Sequence, residues 1–93
     1  MKEKWQGLEK LIADKFKGKV VCGSGAPKFF GGDVETEEYL IECKCTDKKS
    51  RSLKIDEWNK IKKQALSRSK MPMYVIQIQN EIFIINHIDY FRI

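Results

Sequence analysis

The sequence predicts an α/β (α+β) domain in which a mixed central β-sheet is flanked by helices in the order αβββαββ. Three observations carry that prediction. Apolar residues recur at helical spacing in two separate stretches, short β-rich runs lie between and after them, and polar or glycine-rich segments punctuate the whole. At 93 residues the expectation is one domain spanning 1-93. Such a chain buries only about two-thirds of its unfolded surface, a size at which oligomerisation helps.

The elements follow in order. Trp5, Leu8, Leu11, Ile12 and Phe16 form an amphipathic stripe over residues 3 to 17, with Gly18 as the stop and Glu9 toward the flank of the stripe. Val20-Val21-Cys22 reads as a short first strand. Asp33-Val34 and Tyr39 to Thr46 read as a hairpin joined by the acidic turn Glu35-Thr36-Glu37-Glu38. The charged run from Asp47 to Ser52 has no apolar periodicity and is expected to be a polar loop. Asp56 is placed to cap a second helix through about Ser69, with Trp58, Ile61, Ala65 and Leu66 inward, Gln64 beside them and Pro72 closing the region. Tyr74 to Gln79 and Glu81 to Ile88 make a closing hairpin about Asn80.

Within the third strand, Tyr39, Ile41, Cys43 and Cys45 share one parity and Leu40, Glu42 and Lys44 the other. The first set is expected to be buried. Leu40 breaks the alternation, as in a central strand covered on both sides at its start. A rise of about 3.3 Å per residue puts Glu42 and Lys44 roughly 7 Å apart along one face. Buried charge is normally paired, metal-bound or neutralised, so both are expected near a cleft. The plain alternative is a surface ion pair contributing under about 1 kcal/mol.

Charge is segregated along the chain. The formal net charge is +5; Lys48 to Lys70 carries nine Lys or Arg against Asp56 and Glu57, whereas Gly32 to Glu42 carries five acids and no base. A basic flank suits a polyanionic partner and an acidic pocket collects divalent cations. For Lys60, Lys62, Lys63 and Arg68 taken singly, a solvated helix face is the simpler account.

The three cysteines, Cys22, Cys43 and Cys45, with His87 do not have the spacing of structural zinc. Buried thiols are expected instead, and His87, among Ile84, Ile85 and Ile88, is expected on a strand. An odd cysteine count with no signal-like or membrane-spanning segment points to a reducing, intracellular setting, the cytoplasm or a host cytoplasm for a viral protein. Gly23-Ser24-Gly25 lacks the Gly-Lys-Ser/Thr or third glycine of a nucleotide cradle, so no nucleotide cofactor is expected.

Taken together, Glu9, Gly23-Ser24-Gly25, Gly32-Asp33-Val34 and Ile41-Glu42-Cys43-Lys44, in this order and continuing to Gln64-Ala65, resemble the PD-(D/E)XK nuclease superfamily, and within it the small Holliday junction resolvases of archaea and phages. Gly32 stands where the superfamily's name has proline. The resemblance implies a restriction-endonuclease-like core and a Mg²⁺-dependent endodeoxyribonuclease, with Mn²⁺ as a substitute. Asp33, Glu42, Glu9 and the carbonyl of Cys43 would hold the metal; Asp33, Glu42, Glu9 and Lys44 would form the catalytic set. Ser24, Lys28, Lys48, Lys49, Arg51 and Gln64 are the candidate substrate contacts.

The same resemblance implies branched or duplex DNA as partner, a role in recombination and repair, no membrane, and a homodimer making paired symmetric nicks in a four-way junction. A lysine beside carboxylates contributes chiefly by electrostatic stabilisation of the phosphate. Two other readings stand beside it: a structure-selective, nicking or restriction-type endonuclease on the same core, and a non-cleaving nucleic-acid-binding module.

Overall fold

A computed structural model describes residues 4–21 and 31–91, with residues 4–6 and 31–33 entering by their backbone alone. The elements are α1 (Lys4–Phe16), β1 (Lys19–Val21), β2 (Gly31–Glu35), β3 (Tyr39–Thr46), α2 (Ile55–Ser67), β4 (Met71–Ile78) and β5 (Glu81–Ile85), followed by a 3-10 turn at Ile88–Tyr90. The fold is mixed α+β, with a five-stranded mixed sheet and two helices. Strand order is β1-β2-β3-β4-β5, antiparallel except for the parallel β3–β4 pair that α2 connects.

Because β3 is central, both of its parities are covered. Ile41 and Cys43 pack with Val34, Met73 and Val75 against Leu8, Ile12 and Ala13 of α1. On the other face Leu40, Tyr74 and Ile76 pack against Trp58, Ile61 and Ala65 of α2. The expected alternation and the double covering at Leu40 both hold, and Glu42 and Lys44 share the α2 face with Leu40.

Both helices end in the same way. Lys17 and Ser69 adopt left-handed backbone at φ 56° and 60°, and the next N–H bonds back five residues, Gly18 to the Ala13 carbonyl and Lys70 to the Ala65 carbonyl, each at 2.8 Å. Gly18 is required for a different reason. A Cβ there would lie 2.5 Å from the Glu35 carbonyl oxygen and 2.8 Å from Thr36 Cγ2, so the β2–β3 turn approaches too closely for a side chain.

Several boundaries differ from those predicted. Asp56 is not the cap of α2: Lys54 holds that position in extended backbone. The Glu57 carboxylate accepts its N–H at 3.1 Å, so the acid three residues on does the capping work. Leu11 and Leu66 are exposed at 38% and 48%, each lying one helical step outside a stripe that Ala13 and Ala65 complete.

Pro72 does not close the helical region but sits inside β4 opposite Leu40. β5 pairs with β4 only from Tyr74 onward, so the missing N–H of Pro72 falls where no described strand asks for it. His87 is not a strand residue. The chain leaves β5 at Ile85, and the His87 imidazole caps the 3-10 turn, Nδ1 accepting from Asp89 N at 3.0 Å.

Candidate active site

The site is built on β3 and its neighbours. In the antiparallel register Asp33 stands directly opposite Glu42, and Glu42 is opposite Tyr74 in the parallel register. Two carboxylate-bearing positions and a tyrosine therefore share one row across β2, β3 and β4. Asp33 enters here by its register position alone.

Two residues on, Lys44 Nζ lies 3.2 Å from Glu42 Oε2, with the side chains 23% and 19% exposed. That exposure leaves both reachable from solvent while much of each is enclosed. Cys43, between them, turns its thiol into the α1 core, so only its carbonyl could serve on the Glu42 side.

The structure adds Glu57 and Tyr74, which the sequence had not joined to this site, and commits Arg51, expected as a substrate contact, to an internal partner. Arg51, from the loop after β3, grips Glu57 of α2 through two bonds, Nη2 to Oε2 at 2.9 Å and Nη1 to Oε1 at 3.3 Å. It also donates to the Ser52 carbonyl. The hydrogen bond from Arg51 holds the Glu57 carboxyl below the ordinary carboxylate range, with Lys54 N–H and the nearby positive charge of Lys44 acting in the same direction. Glu57 in turn raises the Arg51 guanidinium.

Tyr74 is fully buried, and its hydroxyl makes no hydrogen bond of normal geometry among the described residues, although the Arg51 guanidinium acts on it as a donor. Burial pushes its pKa well up, with the charges of Glu57 and Glu42 adding to the effect and Arg51 opposing it. Glu42, Lys44, Glu57, Arg51 and Tyr74 thus form one electrostatic neighbourhood on the α2 face. The sequence signal for Glu57 was its place three residues after the Lys54 cap of α2. Tyr74 carried no such signal, and Arg51 was expected to meet substrate, not Glu57.

The other predicted residues lie as follows. Glu9 is buried on α1, 5% exposed, deeper than the expected flank position, and α1 packs on the opposite face of the sheet from Glu42 and Lys44. Lys48 and Lys49 are exposed in the loop after β3, whereas Arg51 is half-buried and committed to Glu57. Gln64 is exposed on α2, roughly 10 Å along the helix axis from Glu57. Ser24, Lys28 and Cys22 lie outside the described residues.

Among the described residues no three of His, Cys, Asp and Glu converge as a metal-holding group, the side chain of Asp33 not being one of them. Cys43 is buried and Cys45 partly so. Among the described residues, no helix is long and apolar enough to cross a membrane. No family model, curated protein or solved structure matches this chain.

Proposed function

We propose that this protein is a metal-dependent endonuclease acting on branched DNA, of the Holliday junction resolvase kind, on a PD-(D/E)XK core. The observation that carries the reading is the Glu42–Lys44 pair on the central strand, 3.2 Å apart and partly exposed, with Asp33 in register across β2. A five-stranded sheet in which the strand bearing this pair is followed by a helical crossover to a parallel partner supports it.

The donor chemistry fits the metal that the reading requires. Carboxylates at Asp33 and Glu42, with the Cys43 carbonyl, are hard oxygen ligands suited to Mg²⁺ or Mn²⁺, and the thiol that would favour a softer metal faces away. Asp33 and Glu42 would hold it, whereas Glu9, on the α1 side of the sheet, is not brought to Glu42. When bound, such an ion polarises the scissile phosphodiester and offsets charge on the leaving oxygen.

The remaining work falls to the chain. Lys44, tethered by Glu42, directs its ammonium to the negative charge that grows on phosphate oxygens during displacement. Glu57 lies close enough to feel the charge of Lys44, and its own position is fixed by Arg51 and the Lys54 N–H. The Lys44 ammonium is therefore held by Glu42 at 3.2 Å, with the charge of Glu57 in the same neighbourhood. Exposed Lys48 and Lys49, at the end of the same strand, are placed to meet the DNA backbone.

The test is a cleavage assay with Mg²⁺ on a labelled four-way junction, a flap, linear duplex and single-stranded DNA, with Glu42→Gln, Asp33→Asn and Lys44→Ala in parallel. Paired nicks confined to the junction, lost in all three variants while junction binding persists, are expected. Cutting mainly of flap or duplex would move the reading to another nuclease on this core. Equal junction binding with no cutting by any protein would replace it with a binding module.

A further inference from the structure

We propose that the cavity between the start of α2 and the chain leaving β5 receives one unpaired nucleobase of bound DNA, held by its ring wall and by the Asn86 carboxamide. The cavity is about 280 Å³, at the small end for ligand sites, so it takes one ring system and not a dinucleotide. Leu53, Ile55 and Ile85 give it aliphatic sides, and Trp58 and His87 give it the ring wall. That wall is set before any guest arrives. The His87 imidazole stacks on the Trp58 indole at 5.3 Å and 10°, Tyr90 is tilted against both, and His87 Nδ1 accepts from the Asp89 N–H. Apolar space beside fixed rings suits a planar guest, because the wall loses no freedom on binding.

Two polar groups select among planar guests. Asn86 lines the cavity, yet its Oδ1 is buried without a hydrogen-bond partner among the described residues. A turn about χ2, a broad torsion, presents that acceptor to the cavity, where an amino group on the guest satisfies it. A hydrocarbon guest leaves it orphaned. Among the described residues on the lining, Lys54 is the one lysine, arginine or carboxylate, which favours a guest that carries a phosphate. An amino-bearing ring joined to a phosphate is a nucleotide of adenine, cytosine or guanine.

Position ties that nucleotide to a strand. Ile85 stands opposite Tyr74, and Tyr74 opposite Glu42, so this side of the cavity lies on the same row two strand spacings, about 10 Å, from the Glu42–Lys44 pair. At about 3.4 Å per nucleotide of a duplex strand, that is roughly three nucleotides. A strand passing the pair can therefore turn a base out of its stack into the cavity. The inference rests on the DNA-binding part of the proposed function and not on cleavage.

Binding is measured by fluorescence anisotropy in EDTA, on a labelled duplex with one bulged deoxyadenosine, the same duplex with an abasic site there, and the same with a purine deoxynucleoside that lacks the amino group. Deoxyadenosine should bind about 5- to 100-fold tighter than the abasic site and about 2- to 10-fold tighter than purine. Asn86→Leu should erase the second difference and keep much of the first, and Leu53→Trp, which fills the cavity, should erase both. In Trp5→Phe, which leaves Trp58 as the one indole, the emission should shift with the deoxyadenosine duplex and not with the abasic one.

Equal affinity for the deoxyadenosine and abasic duplexes, a preference that both cavity variants leave unchanged, or an emission shift common to both duplexes would overturn the proposal. So would free deoxyadenosine monophosphate shifting the emission at the same micromolar concentration, which would make the cavity a site for free nucleotides. Where circular dichroism shows a variant to be unfolded, the wild-type affinities decide. Base preference without cutting in Mg²⁺ would leave the cavity site standing and remove the cleavage reading, and cutting without base preference would do the reverse.

Discussion

The Tyr74 hydroxyl is the most strained chemical fact in the molecule at the scale of one residue. It is buried, it makes no hydrogen bond of normal geometry among the described residues, and it faces the fields of Glu57 and Glu42, with the Arg51 guanidinium the donor that acts on it. An unmade hydrogen bond in the interior costs about 1–3 kcal/mol. Tyr74→Phe keeps the ring packed among Leu40, Trp58, Ile61 and Ile76 and removes an oxygen whose donor, Arg51, is already held by Glu57, so it should raise the stability to urea by about 1 kcal/mol. A lowered denaturation midpoint would mean that the oxygen has a partner the packing requires. Under the cleavage proposal, its place in the row Asp33–Glu42–Tyr74 would give that oxygen a use. If so, Tyr74→Phe should be the more stable protein and the slower enzyme in the same junction assay.

At the scale of elements, the end of α1 makes opposite demands on adjacent residues. Lys17 holds φ 56°, a conformation that costs a side-chain-bearing residue roughly 1–2 kcal/mol, while Gly18 is where a Cβ would strike the Glu35 carbonyl. Lys17→Gly should therefore raise stability by up to about 1 kcal/mol, the relief being partly offset by the freer unfolded chain. Gly18→Ala should lower it by about 1–3 kcal/mol, since the obstacle is backbone and overpacking is relieved only by moving β2. Thermal melts of the two variants check both signs, and a stabilising Gly18→Ala would show that the turn yields.

This junction also shows what could be read in advance. A helix stopping at Gly18 was legible from apolar spacing and a glycine, yet the reason for the glycine was a contact with a turn made more than a dozen residues later. β3 was legible to the residue, because period-two patterning encodes faces directly. The α2 cap, Pro72 in β4 and the departure at His87 were not, since each depends on which partner is or is not alongside. Arg51 and Glu57, six residues apart across a loop and a helix start, meet only once the crossover is formed. Of the candidate site, the strand-borne Glu42 and Lys44 were legible and their polar surroundings were not.

For the whole molecule, the 18 lysines and arginines overstate what is free to meet a polyanion. Arg51 is held by Glu57, and Arg68 and Lys70 reach Glu35 at 3.3 and 3.5 Å, so three of the cations in the basic segment already face internal carboxylates. Lys48 and Lys49 are exposed and make no ion pair among the described residues, and they follow directly on the strand that carries Glu42 and Lys44. DNA binding of this kind weakens with salt because each neutralised phosphate releases condensed counterions, and the slope of log K against log salt counts those contacts.

Junction affinity measured over a salt series should therefore lose about 1 from the magnitude of the slope for Lys48→Ala and again for Lys49→Ala. Arg68→Ala should change the slope by much less, because its charge is spent on Glu35. Equal losses at Lys48, Lys49 and Arg68 would mean that the internal pairs open on binding. An unchanged slope for both lysines would move the DNA path off the end of β3 altogether, and with it the placement of the scissile phosphate beside Lys44.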